Sequence, residues 1–547
     1  MLIEPAQLAI AAAALVFVPL VVRRLRLSLA KHPSLTGHGR MASWLARQLP
    51  GHRYDAVRFF AADGAQADIA ERRRRALQRL GQTLRERSPQ TIAATAEARE
   101  GLSDLQFTSA YRVPFQFVPV LREHLALGSF WARSEGPDLV DLDGNRCIDL
   151  TGSYGVNVFG NDFYKSCIDE GWARTRDLGA VLGGYHPVML ENIRRLKEVS
   201  GLDEVSFHMS GTEAVMQAVR LAHYHTRKRR IVRFCGAYHG WWGEVQPGPG
   251  NPVPTRDTFT LRDMDERSLG ILRSRRDIAC VLVNPLQGLY PNRSAPGDSS
   301  LLDSGRSAGF DRPAYTAWLH ELRQVCTERG IVLIFDEVFV GFRIASGGAQ
   351  EYFGVQADMV TWGKTLGGGL PVGVVCGKAA LMRRYRDERP ADICFARGTF
   401  NSHPAVMGAM NVFLERLATP AVQAVYAGLD ERWNTRVAAF NARMEAEAIP
   451  LRAANMGSIW TLFFTAPSRY NWMLQFYLRE QGLALSWVGT GRLILPINMH
   501  DATFATVLER MLGACHRMKS EGWWWDGATE SNGDIRRSVL RDALFGV

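Results

Sequence analysis

The sequence predicts an α/β protein: a large domain on a mostly parallel sheet flanked by helices, a smaller α+β C-terminal domain, and an N-terminal membrane helix. Three observations predict it. Between Gly152 and about Phe400, short apolar runs such as Ile231-Val-Arg-Phe234, Ala279-Cys-Val-Leu-Val-Asn284, Ile331-Val-Leu-Ile-Phe335 and Val372-Gly-Val-Val-Cys376 alternate with helical stretches, as strands and crossover helices do around a parallel sheet. Beyond it, helical runs mix with Ser458-Ile-Trp-Thr-Leu-Phe-Phe464 and Arg492-Leu-Ile-Leu495. The first 22 residues hold an unbroken apolar run, Leu8 to Val22, followed at once by Arg23, Arg24, Arg26 and Lys31.

The chain divides accordingly. Residues 1–30 read as a membrane anchor with a basic flank. The arginines follow the apolar run, so the positive-inside rule puts the N-terminus outside and the remainder at the cytoplasmic face of the (inner) membrane, held by a single pass. A helix lying in the membrane interface is the other reading. Residues 31–105 carry apolar positions at helical spacing, Ala76, Leu77, Leu80 and Leu84 among them, and form a helical accessory segment. In 106–150, Leu139 to Asp149 reads as a hairpin turning at Asp143-Gly144. Residues 151–400 make the large cofactor-binding domain and 401–547 the small C-terminal one.

Composition sets limits. With 547 residues, 46% hydrophobic and 22% charged, the chain can bury a sizeable core, which excludes a disordered or collagen-like protein. The net charge of +10 is arginine-rich but is not gathered into a basic patch interleaved with aromatics, so no nucleic-acid partner is expected. Its densest cluster, Arg72 to Arg75, and the weaker Arg23-Arg24 read as facing solvent or a membrane surface. The eight cysteines include no CxxC pair and no His at ligand spacing, so no metal site is expected.

Chemistry concentrates at a few motifs. The run Ile331 to Phe335 ends in Asp336-Glu337-Val338, and ligands of open α/β sheets sit outside the carboxyl ends of strands. A carboxylate there can keep a pyridine nitrogen protonated, as the electron sink of pyridoxal phosphate requires. Of only seven lysines, Lys364 alone follows a strand-like run and opens a glycine-rich turn, Gly363-Lys-Thr-Leu-Gly-Gly-Gly-Leu-Pro371. A partly desolvated amine in that place can form an imine with an aldehyde. Ser210-Gly211-Thr212 opens a helix and offers N–H groups to a phosphate, although a plain capping role explains Thr212 equally well. Tyr238-His239-Gly240 follows a strand and brings an aromatic ring to the sheet edge, fit to stack on a planar cofactor. Gly398-Thr399-Phe-Asn401 is another phosphate-type site.

In order and spacing these pieces, together with Gly152-Ser-Tyr-Gly155, Gly341-Phe-Arg343 and Gly367-Gly-Gly-Leu-Pro-Val-Gly373, resemble the class III (fold type I) pyridoxal-phosphate aminotransferases, and among them the glutamate-1-semialdehyde aminomutase type. The resemblance implies a fold type I transferase with pyridoxal 5′-phosphate as cofactor. By it, Lys364 is the Schiff-base lysine and proton carrier, and Asp336 is the partner of the pyridine nitrogen. It puts Val338 behind the ring and Tyr238, with His239 beside it, in front. Ser210, Gly211 and Thr212 take the phosphate, Thr399 reaches the phosphate of a neighbouring subunit, and a homodimer is implied. Tyr154, Trp241 and Trp242 are the candidate substrate contacts.

The departures bear on substrate. Val118-Pro-Val-Leu-Arg122-Glu-His124 does not reproduce the aminomutase's carboxylate-binding stretch, and Trp241-Trp242 replaces a polar pair. The leading expectation is therefore an aminotransferase that moves an amino group from an amino-acid donor to a ketone or aldehyde of a hydrophobic or carrier-bound acceptor. An aminomutase acting within one substrate and a catalytically inactive membrane scaffold are the alternatives.

Overall fold

The computed structural model describes residues 5–33, 38–110, 113–246, 248, 250–291, 307–486, 491–527 and 529–545. Three short strands come first, β1 (Arg133–Glu135), β2 (Asp138–Val140) and β3 (Arg146–Asp149). β2 and β3 pair antiparallel around Asp143-Gly144, with Gly144 at φ +85°, a conformation that glycine adopts without strain.

The large sheet contains β4 (Glu204–His208), β5 (Arg230–Phe234), β6 (Thr258–Leu261), β7 (Ile278–Val283), β8 (Val332–Asp336), β9 (Met359–Gly363) and β10 (Gly373–Gly377). Their spatial order is β4-β10-β9-β8-β7-β5-β6. β5 to β9 run parallel, whereas β10 is antiparallel to both β9 and β4. The glycine-rich turn after Gly363 is too short for a crossover helix, so the chain must double back. Every residue of β7 and β8 is buried, which is why these strands read as continuous apolar runs rather than alternating ones.

A separate antiparallel sheet is formed by β11 (Leu451–Met456), β12 (Ile459–Phe464) and β14 (Arg492–Ile494). The two-residue strand β13 (Leu483–Ala484) pairs parallel to β3 and ties the early hairpin to the C-terminal region.

The N-terminal expectation is corrected. Among the described residues no helix is long and apolar enough to cross a membrane. The helix Pro5–Ala30 carries Arg23, Arg24 and Arg26 in its last turns and Pro19 inside it. Its end docks on protein: Ala30 is fully buried, its carbonyl accepts from Arg262 N at 3.0 Å, and the helix packs against Glu266–Ser274.

The accessory segment is helical, with Gly39–Gln48, Ala56–Phe60, Ala67–Arg87, Pro89–Gly101 and Ser103–Ala110. Its arginine quartet does not all face solvent, because Arg73 is 0% exposed. Its guanidinium forks onto Asp63 at 2.7 and 2.8 Å, donates to the carbonyls of Phe60 and Gly522, and lies 4.3 Å over the Tyr470 ring. A buried guanidinium is tolerated when its fork is filled in this way. Phe59 extends the same contact, with ring centroids 6.3 Å from Trp472 and 6.4 Å from Trp523.

Candidate active site

β8 and β9 are parallel neighbours, with Asp336 opposite Thr361, so their carboxyl ends open on one edge. Asp336 ends β8 and Lys364 follows β9. A cavity of about 440 Å³ lies there, lined among others by Ser210, Gly211, Thr212, Tyr238, His239, Asp336, Val338 and Lys364. Eight positions singled out in the sequence therefore meet in one place.

Asp336 is buried and held from two sides. One oxygen faces His239 Nδ1 at 2.8 Å; the other accepts from Val338 N at 3.2 Å and Thr361 Oγ1 at 3.3 Å. The carboxylate makes Nδ1 the donating nitrogen of His239, whose ring is sealed from solvent and whose Nε2 has no hydrogen-bond partner. Clamped in this way, the carboxylate keeps a fixed direction toward the cavity and lone pairs for a further donor.

Lys364 sits at φ +49°, a left-handed conformation that costs a non-glycine residue about 1 kcal/mol or more. That turn brings the side chain back over the strand ends. Its Nζ donates to the carbonyl of Tyr154 at 2.6 Å and lies 5.0 Å from the Phe339 ring centroid. Burial lowers its pKa from 10.5 to about 8, with Asp336 pulling it up and Arg492 and Arg343 pushing it further down. An amine that is partly neutral near neutrality is a nucleophile toward an aldehyde. Gly155 leaves the room: a Cβ there would stand 2.8 Å from the Phe339 ring and 3.3 Å from Lys364 Cδ.

The helix Gly211–Thr226 starts at the cavity, capped by Ser210, whose Oγ accepts from Glu213 N at 3.3 Å. Its first N–H groups and dipole favour an anion. Glycines let neighbouring chain approach: a Cβ on Gly211 would meet Val338 Cγ1 at 2.5 Å, and one on Gly240 would meet Thr212 Oγ1 at 2.5 Å. A helix-start cradle, a fixed buried carboxylate and a desolvated lysine make up the donor set that pyridoxal phosphate requires, so the residues fit that cofactor.

The cavity is also lined by polar residues that were not among the expected site residues, Arg492, Asn284 and Gln287. Arg492, at the start of β14, donates to Tyr290 OH and stacks 5.5 Å from the Tyr290 ring and 5.6 Å from the Phe339 ring. Its Nε is buried without a partner. Asn284 donates to the Tyr238 carbonyl at 3.0 Å, and Gln287 to that of Cys235. Outside the cavity lining, the fully buried Arg343 of the Gly341-Phe-Arg343 motif donates to Leu495 O at 2.7 Å, Ser458 Oγ at 2.9 Å and Asn157 O at 2.7 Å, tying the turn after β8 to the C-terminal region. The sequence showed Arg492 only as the first residue of a strand, since nothing local marks an arginine that acts across domains.

Other expected residues lie elsewhere. Neither tryptophan lines the cavity: Trp241 is 72% exposed and Trp242 packs against a cluster of core residues around Val245. Tyr154 offers its backbone carbonyl, while its side chain is half exposed and does not line the cavity. Thr399 lies in a separate surface hollow with Tyr185, Ile393, Phe395 and Arg397.

Residues 121–243 and 304–514 match the class-III aminotransferase family. Glutamate-1-semialdehyde 2,1-aminomutase of Geotalea daltonii is 31% identical over 368 residues, 63% of this chain and 78% of that protein. The protein of the same name from Citrifermentans bemidjiense is 32% identical over 369 residues, again 63% and 78%. In fold, the chain is similar to a β-phenylalanine aminotransferase from Variovorax paradoxus, with TM-score 0.64 and 24% identity over 82% of this chain and 98% of that one. A glutamate-1-semialdehyde-aminomutase from Pseudomonas aeruginosa PAO1 gives TM-score 0.65 and 18% identity over 83% and 99%.

Proposed function

The chain belongs to the class-III aminotransferases, enzymes that work with pyridoxal 5′-phosphate, and within that family we propose that it moves an amino group from an amino-acid donor to a ketone or aldehyde with an apolar body. The observation that carries this reading is Lys364, its amine desolvated and held by the Tyr154 carbonyl in the same cavity as the Asp336–His239 pair. When bound, the cofactor supplies the electron sink that makes a proton on the amine-bearing carbon removable. Lys364 Nζ would hold the cofactor covalently at rest, then take that proton and return it on the other side of the exchange, as base and then acid. Asp336, fixed by His239 and Thr361, would keep the ring nitrogen protonated. Ser210, Gly211 and Thr212 would hold the phosphate. Tyr238 and Val338 would flank the ring.

Arg492 is suited to the donor's carboxylate: it is a cation on the cavity wall, oriented by Tyr290, with an unused buried Nε. Val156, Leu286, Phe339 and Leu370 supply an apolar wall for the acceptor. Exposed Tyr185, Ile393 and Phe395 around Thr399 suit a second copy of the chain, whose site Thr399 would then complete. Sedimentation of the pure protein at the mass of two chains is the expected result.

The second reading, an aminomutase, is favoured by the names of the relatives at 31% and 32% identity. Mixing the loaded enzyme with single amino acids separates the two. Transamination requires the visible cofactor band to fade while one keto acid per site is released. A band unchanged by every common donor counts against it.

A further inference from the structure

A second cavity, of about 400 Å³, lies where the N-terminal helices meet the edge strand β6 of the large sheet, away from the catalytic residues. Arg24, Lys31, His38, Arg40, Arg233 and Arg256 line it, and among the described residues no carboxylate does. Arg233, on β5, is 2% exposed. One of its nitrogens donates to Val245 O at 2.7 Å, and its Nε is buried with no partner. A buried guanidinium without a counter-charge is expensive and normally finds an anion.

The carboxylates on the adjoining loop are already used. Glu244 accepts from the N–H groups of Arg256 and Asp257 and from Thr258 Oγ1, while Asp257 pairs with Arg229 and Arg230. Burial and the neighbouring Arg40 and Arg24 lower the Lys31 pKa from its usual 10.5, which is the behaviour of cations crowded together without an anion. The cavity walls are anchored. Arg262 Nε donates to Lys31 O at 3.2 Å, and Ser43 Oγ donates to Gly248 O at 3.2 Å.

We propose that this cavity binds a phosphate-bearing small molecule, its anionic group held by Arg233, Lys31 and Arg40. The cavity exceeds the room a lone phosphate needs and falls in the range of small-molecule sites. Such a ligand would fasten the N-terminal helices to the catalytic sheet by pairing with cations from both, so binding should raise the thermal stability of the whole chain.

The test is calorimetric titration of inorganic pyrophosphate, and separately of adenosine diphosphate, into the cofactor-loaded full-length enzyme at low salt. Loading keeps the active-site phosphate cradle filled. One saturable site per chain and a rise in Tm are expected. Each of Lys31→Ala and Arg40→Ala should weaken binding about tenfold, as losing one charge-assisted contact does, with turnover unchanged. Tighter binding of the nucleotide than of pyrophosphate supports a ligand that uses the rest of the cavity; equal binding supports recognition of the anion alone. Arg233→Met should abolish binding, and because both other variants are near the surface, the test stands even if that one does not fold. Absence of saturable binding by either probe, or binding that survives both Lys31→Ala and Arg40→Ala unchanged, overturns the proposal.

Discussion

Replacing Arg492 by methionine keeps an apolar stem against Phe339 and Tyr290 and removes the charge. At about 4 Å and an effective dielectric near 20, a guanidinium and a carboxylate attract by about 4 kcal/mol. Arg492 is only partly buried, and the donor gives up its hydration on entry, so about 2–3 kcal/mol of transition-state stabilisation should be lost. That corresponds to about a 30- to 150-fold fall in kcat/KM for an amino-acid donor. The same substitution should leave an amine donor without a carboxylate within a few-fold of the parent. A second readout follows from Lys364, whose pKa Arg492 helps to depress: the midpoint of the pH profile for cofactor attachment should move upward from about 8. Steady-state kinetics with paired donors, one the decarboxylated form of the other, gives the first readout, and spectrophotometric reconstitution across pH gives the second. Equal losses for both donors, with an unmoved midpoint, would refute the assignment of Arg492 to the donor carboxylate.

Lys364→Ala should lower turnover at least about a thousandfold, since one group carries both attachment and proton transfer, and borohydride should leave no cofactor adduct on the chain; full turnover would overturn the active-site assignment. Glu337 is fully buried, and burial, with some help from Asp336, raises its pKa from 4.5 to about 8. The folded state therefore keeps a proton that the unfolded chain releases, so stability falls as pH rises from about 4.5 to about 8, by up to about 1.4 kcal/mol per unit. Denaturation of Glu337→Gln over that window should lack this slope, and an unchanged slope would assign it to other groups. Gly211→Ala places a Cβ 2.5 Å from Val338 Cγ1, so overpacking of about 1–3 kcal/mol is expected, seen as weaker cofactor retention in dialysis. Val338→Ala in the same chain should restore part of it, and no recovery would mean that the strain lies elsewhere.

Much of the site could be read because its elements announce themselves locally. A buried strand ending in Asp336, a glycine-rich turn opening on Lys364 and a small-residue helix start at Ser210 are each written in contiguous residues. His239 was found only by its place after Tyr238; its hold on Asp336 joins residues 97 apart in the chain. Arg492 was missed because a short strand with one arginine gives no sign of what that arginine faces. Trp241 and Trp242 were misplaced for the converse reason, since size and apolarity do not say which way a ring turns.

Periodicity and glycine placement follow from short-range backbone sterics and burial, and these predicted the α/β sheet, while the order of the motifs resembled the family and pointed to residues that the fold gathers in one cavity. Charge and apolarity alone could not decide what the N-terminal helix touches, and there the sequence pointed to a membrane while Ala30 is buried against the catalytic sheet's edge. Arg73, read as part of a solvated face, is a filled buried fork on Asp63. Such outcomes belong to tertiary structure, because whether an arginine or an apolar helix meets water, lipid or protein depends on partners from other parts of the chain, as Gly522 and Tyr470 are for Arg73 and Arg262 is for Ala30.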